Sequence, residues 1–183
     1  MKSGKFAASN RGALKVALAS AFVLGGVGFG VNVYAAEATS TATSTVIAPI
    51  AIAAPVVLSF GKFAPGAGGS VTISNSGART ATGVILSSAG STQTAARFNV
   101  TGEGSATYAI THSGDAALTN GVNTMALVKT SDLTGADVTT DNVATGTLTS
   151  GAQSIYVGGT LTVGGAQAAG TYTGAVTVTV EYN

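Results

Sequence analysis

Alternation of apolar and polar positions dominates this chain, and it is clearest in GTYTGAVTVTVEYN, where Val176, Val178, Val180 and Tyr182 fall on one face and Thr177, Thr179 and Glu181 on the other. Period two over seven residues predicts a strand with one buried side. No later strand follows that could pair with its free side, so the segment reads as an open sheet edge. Such edges invite pairing with another chain unless charge, proline or a bulge blunts them, and only Glu181 is charged here. The four apolar residues are therefore read as the edge of an acceptor groove for a strand supplied from outside.

The same pattern recurs upstream. In VIAPIAIAAPVVLSFG the residues Val46, Ala48, Ile50 and Ile52 share one face, with Pro49 on the other. Proline has no N–H for a ladder, so this stretch suits an edge or an inserted strand, and it is read as a detachable donor strand. Ile47 lies on the alternative face. Leu58 and Phe60 alternate into a turn at Gly61–Gly66, and Val71 and Ile73 form the next strand before Asn75-Ser76-Gly77. Phe98 and Val100, then Tyr108 and Ile110, predict a hairpin around Gly102-Glu103-Gly104. Residues 114–150 are the least patterned, with Met125 and Leu127 marking one strand. Ile155 and Val157 lead through Gly158-Gly159 to Leu161 and Val163. No segment holds a helical period over three turns and no 20–50-residue repeat is evident, so the expectation is an all-β sandwich of short strands.

Composition agrees. The chain has 26 Gly in 183 residues, 8% charged residues and no cysteine, which favours short strands and tight turns held by packing, without disulfides. A mean hydropathy of +0.44 argues against general disorder, which is expected only for the Thr/Ser/Ala tether at 37–45.

The N-terminus changes the electrostatic picture. Lys2, Lys5, Arg11 and Lys15 precede an apolar run from Val16 to Val33, and Val33-Tyr34-Ala35 offers compact residues where a signal peptidase reads. Residues 1–35 are accordingly predicted to be a signal peptide, residues 36–53 a polar tether with the donor strand, and residues 54–183 the sandwich domain. Export takes away four of the eight basic residues and none of the seven acidic ones, leaving a net charge of −3. Lys62, Arg79, Arg97 and Lys129 are scattered singly, so no basic patch for nucleic acid is expected. The apolar stretch Val46–Leu58 is broken by Pro49 and Pro55 and is too short to span a bilayer, so no membrane insertion of the mature chain is expected.

Little catalytic chemistry is visible. His112 is the single histidine, with Asp115 three positions on and no third partner for a relay. Asp132, Asp137 and Asp141 match no EF-hand spacing and read as a solvated loop, although clustered carboxylates suit Ca²⁺. Glu103 and Glu181 are too little framed by polar groups to argue for a hydrolase pair. Asn99-Val100-Thr101 matches a glycosylation triplet inside a predicted strand. No catalytic residue, metal site or cofactor is expected, and the chain is not expected to be an enzyme.

Three stretches carry a resemblance over nearly the whole mature chain: LSFGKFAPGAGGSVTISNSGARTATG, RFNVTGEGSATYAIT and YVGGTLTVGGAQAAGTYTGAVTVTVEYN. They resemble small secreted bacterial domains of undetermined function related to the spore coat protein U domain and to pilins of archaic chaperone–usher systems. The matching motifs are Leu58-Ser59-Phe60-Gly61 and Gly170-Thr171-Tyr172 with the valines that follow. The cysteine pair common in those pilins is absent. The resemblance implies an immunoglobulin-like sandwich lacking its last strand, whose groove a periplasmic chaperone fills first and the N-terminal segment of the next subunit then occupies. It also implies an outer-membrane usher, passage through the periplasm, and a homopolymeric surface fibre serving adhesion or biofilm formation. A self-contained module binding glycan or cell-envelope material is the alternative expectation.

Overall fold

The computed structural model describes residues 34–183. Apart from Tyr34 and Ala35, the predicted signal peptide lies outside the described residues. Residues 34–43 fall in a first unit; those ten are exposed and form no strand. The second unit, 44–183, carries all the strands described here.

That unit is an all-β sandwich with antiparallel pairing throughout. In chain order its strands are β1 (Ala51–Val56), β2 (Phe63–Ala64), β3 (Gly69–Ile73), β4 (Arg79–Thr82), β5 (Ile85–Leu86) and β6 (Ala96–Thr101). Then follow β7 (Thr107–Gly114), β8 (Ala117–Asn120), β9 (Asn123–Asp132), β10 (Thr145–Thr147), β11 (Ala152–Val163) and β12 (Val176–Tyr182). The larger sheet is organised on β11. One flank of β11 pairs with β9, which carries β8. The other flank is shared end to end, by β6 along Ala152–Val157 and by β3 along Gly159–Val163, with β1 outside β6 and β4 outside β3. The smaller sheet runs β10-β7-β12, and β2 pairs with β5.

The handover on β11 explains its glycine pair. At Gly158 the ladder to β6 has ended and the ladder to β3 has not begun. A buried amide left there without a partner would cost about 1–3 kcal/mol. The Asn75 side chain fills the gap: its Oδ1 accepts from Gly158 N at 2.8 Å and from Thr130 Oγ1 at 3.2 Å. A Cβ on Gly158 would collide with the Ile73 carbonyl and with Asn75 itself. The Asn75-Ser76-Gly77 turn read from sequence thus plugs a seam between two strands.

The core forms two clusters. The first joins Phe98, Val100, Ile155 and Val157 to Tyr108, Ile110, Val178 and Val180 across the two sheets. The second gathers Phe60, Val71, Ile73, Met125, Leu127, Leu161 and Val163. Leu58 and Val176 pack against both. Tyr108 is wholly buried, its hydroxyl donating to Gln153 Oε1, and burial pushes its phenol above the usual range.

Two expectations change. Phe98–Val100 and Tyr108–Ile110 do not form a hairpin: β6 pairs with β1 and β11, and β7 with β10 and β12, so the Gly102–Gly104 connection crosses between sheets. Both strands point alternate residues into the same core from opposite sides, which produces the pattern of a hairpin without the pairing. The N-terminal strand also starts later than expected, at Ala51. Pro49 interrupts any earlier ladder, and Pro55 sits where the β1–β6 register shifts between Ala53 and Val56, an edge position that tolerates proline.

Candidate functional site

β12 is paired on one edge only. It runs against β7 from Val176 opposite Gly114 to Tyr182 opposite Tyr108, and among the described residues no strand pairs with its other edge. Of the predicted groove residues, Val178 and Val180 are buried in the first cluster, while Val176 and Tyr182 are half-buried at its rim. Across the sandwich, β1 is an outer strand of the larger sheet.

The predicted donor residues divide into two sets. Ile50 and Ile52 pack against the first cluster of their own domain, and Ile52 sits opposite Val100 in the β1–β6 ladder. Val46 is 93% and Ile47 52% exposed. Ala48 lies between them and is clipped at both backbone groups. Its N–H donates to Glu103 Oε2 at 3.0 Å, and its carbonyl accepts from the Tyr182 hydroxyl at 2.9 Å. The same hydroxyl accepts from Glu103 N at 2.6 Å. Gly102 makes this possible, since any Cβ there would collide with the Tyr182 hydroxyl. The four donor residues therefore do not form one free strand: the apolar demand of the first cluster holds Ile50 and Ile52.

Where the chain leaving β1 and the chain entering β12 part, a cleft of about 820 Å³ opens. Leu58, Phe60 and Phe63 line one side and Tyr172 the other, with the buried Met125 and Leu161 of the second cluster at its base. Tyr172 is fixed by hydrogen bonds to the Ala168 carbonyl and from Gln167 Nε2. The two short motifs noted in the sequence, Leu58-Ser59-Phe60-Gly61 and Gly170-Thr171-Tyr172, both line this one cleft.

The profile of a domain of unknown function, DUF4402, matches residues 50–182. The chain belongs to the DUF4402 family. The DUF4402 unit begins at Ile50, the first N-terminal residue packed on the core, and leaves Val46 and Ile47 outside. No curated protein and no solved structure matches the chain.

The remaining candidates are dispersed. His112 is half-buried on β7 with Nε2 enclosed and unbonded; desolvation, and then the charge of Lys129, push its imidazole below the usual range. Asp115 accepts from Ala175 N, and Lys129 donates to the carbonyls of Ser113 and Asp115. Asp132 spends both carboxylate oxygens on Thr134, Gly135 and Ala136 within its own turn. Among the described residues no three metal-ligating side chains gather, so Asp137 and Asp141 do not join Asp132. Glu103 serves the Ala48 clip, Glu181 is exposed on β12, and Asn99 accepts from Ser154 Oγ. Among the described residues no helix is long and apolar enough to cross a membrane.

Sequence reasoning missed the Glu103–Tyr182 clip and the cleft-lining role of Phe63 and Tyr172. The signal for the cleft was present in the two motifs; their meeting required the fold.

Proposed function

We propose that this chain is an exported, non-enzymatic structural subunit that assembles into a surface fibre by strand donation. Two observations support the reading: among the described residues no strand pairs with the outer edge of β12, and both recognisable motifs line a cleft that reaches the second core cluster, its Tyr172 four residues before β12 begins. A strand from a second copy laid along β12 would satisfy the free edge by ladder hydrogen bonds and cover the cleft with side chains. Such a head-to-tail contact does not close and propagates as a filament.

Because Ile50 and Ile52 already serve their own core, the donated part lies upstream of them. Val46 and Ile47 are its apolar residues, preceded by β-branched Thr39, Thr41, Thr43 and Thr45 at every second position. Val46 and Ile47 point to opposite faces of an extended strand, so only one of them enters the groove and its burial adds about 1.5–3 kcal/mol; most of the affinity must come from the backbone ladder. In this reading a periplasmic chaperone guards the cleft before an outer-membrane usher assembles the fibre, and the fibre supports adhesion or biofilm formation.

The clip at Ala48 favours a second reading, in which the N-terminal stretch remains with its own domain and the protein is a monomeric binding module for envelope material. Size analysis of residues 36–183, unheated and after boiling in detergent, separates the two. Ladders that collapse on boiling, and that vanish when residues 36–47 are deleted, support strand donation. A monomer that refolds reversibly at every concentration tested supports the module.

A further inference from the structure

A second cleft, of about 350 Å³, lies on the outward-facing side of the larger sheet, and Arg97 sits in it. Arg97 occupies the middle of a cross-strand row, opposite Val56 of β1 on one side and Tyr156 of β11 on the other. Val56, Tyr156, Gln93, Thr134 and Ser76 also line the cleft.

The chain's treatment of its two sandwich arginines is unequal. Arg79 is built into the structure, donating to the carbonyls of Phe60, Lys62 and Ser87 and to Ser91 Oγ. Arg97 has no such role. Its Nε is enclosed without any acceptor, and no described residue accepts a hydrogen bond from the rest of its guanidinium. Asn75 Nδ2, which also borders this cleft, is enclosed and unbonded as well. Both orphaned atoms are donors, so the region carries an excess of donors and a positive charge.

Neighbouring carboxylates do not pair with it. Asp132 stands next in the row, opposite Tyr156, but its oxygens are consumed by its own turn. Asp137 accepts from Ser76 Oγ at 3.2 Å. The turn that Asp132 holds also fixes the aromatic wall: Gly135, at φ 67°, leaves the Tyr156 ring close against its backbone, where a Cβ would press on it. A guanidinium fork beside a fixed phenol ring, rimmed by hydroxyl and amide side chains, is a preorganised arrangement for a carboxylate that carries hydroxyl groups.

We infer that this cleft is a binding subsite for one acidic sugar residue of a polysaccharide, with Arg97 pairing its carboxylate and Tyr156, Gln93 and Thr134 meeting its ring and hydroxyls. At about 350 Å³ the cleft has room for a single saccharide unit, and its hydroxyl and amide lining suits a ligand rich in hydroxyl groups better than an acidic peptide. The inference stands on Arg97 and its surroundings alone and does not depend on strand donation.

Calorimetric titration of residues 36–183 with oligogalacturonate, with the matching neutral galactose oligomer, and with poly-glutamate tests it. Binding of the uronate oligomer alone is expected. Arg97→Gln should weaken it by about tenfold or more, the loss for a removed charge-assisted pair, whereas Arg97→Lys should retain part of it and Lys62→Gln should leave it unchanged. In the unaltered protein, the Arg97 Nε–H resonance should shift on titration, a readout that does not depend on any variant folding. No uronate binding, equal binding of the neutral oligomer, binding to poly-glutamate alone, or an Arg97 Nε–H resonance that stays put at saturation would overturn the inference.

Discussion

The Tyr182 hydroxyl donates a 2.9 Å hydrogen bond to the carbonyl of Ala48, 134 positions earlier in the chain. The same oxygen accepts from Glu103 N, while the Glu103 carboxylate takes the Ala48 N–H. Two side chains thus satisfy both backbone groups of one residue, as a neighbouring strand would. Immediately upstream, Val46 and Ile47 are left exposed. Tyr182→Phe removes the bond to Ala48 and the acceptor for Glu103 N. Because these bonds are solvent-accessible, the loss of stability should stay near about 1 kcal/mol. Amide exchange at Ala48 should accelerate clearly while the core amides of β11 do not change. If the strand-donation reading holds, the same variant should polymerise faster, because its N-terminal segment is released.

Filling the larger cleft should separate folding from assembly. Ala169 is exposed and lines it, so Ala169→Trp should leave thermal unfolding of the monomer nearly unchanged. If the strand-donation reading holds, detergent-resistant ladders should be lost. Undiminished ladders in this variant would place the intermolecular contact elsewhere.

Asn75→Ala should be among the most damaging single substitutions. It strips Gly158 N and Thr130 Oγ1 of their shared buried partner and leaves a void in the seam between β6 and β3. A loss of about 2–4 kcal/mol is expected, read as a lower urea midpoint with an unaltered slope. Asn75→Asp keeps the acceptor but buries a charge, and should not rescue.

His112 sets an acid-side dependence. Its imidazole is pushed below its ordinary value chiefly by burial, with Lys129 adding to the effect. Below about pH 6.5 the unfolded chain takes up a proton that the folded chain refuses. Stability from this group is therefore full above that pH and falls as the pH drops, levelling once the folded value is passed. In His112→Gln this component should vanish, so the stability difference between variant and parent should shift in the variant's favour between pH 7.5 and pH 5.

The fold was legible where alternation and burial coincide. β11 and β12 follow their valines and isoleucines closely, because each strand buries one face and period two records that directly. Alternation carries no information about partners, which is why Phe98–Val100 and Tyr108–Ile110 read as a hairpin although they lie in different sheets. Gly102 looked like turn punctuation; its role is to admit the Tyr182 hydroxyl. β10, Thr-Gly-Thr, has no apolar residue to announce it. Of the candidate site, the β12 residues were found by pattern, but the division of the N-terminal segment between Ile47 and Ile50 was not, since both halves are equally apolar. Arg97 gave no sign in the sequence either: that a cation lacks a partner is a property of everything packed around it.

The central place of β11 also dictates an order of events. β3, β6 and β9 all pair with it, and β1, β4 and β8 hang on those, yet it spans Ala152–Val163, late in the sequence. A chain emerging N-terminus first has no strand on which to assemble its larger sheet until that segment arrives. Until then β3, β6 and β9 each keep an unpaired edge, the condition in which nascent β-chains are most exposed to mispairing. The pairs β1–β6, β3–β4 and β8–β9 can close on their own, but they become one sheet only when β11, arriving late, joins them.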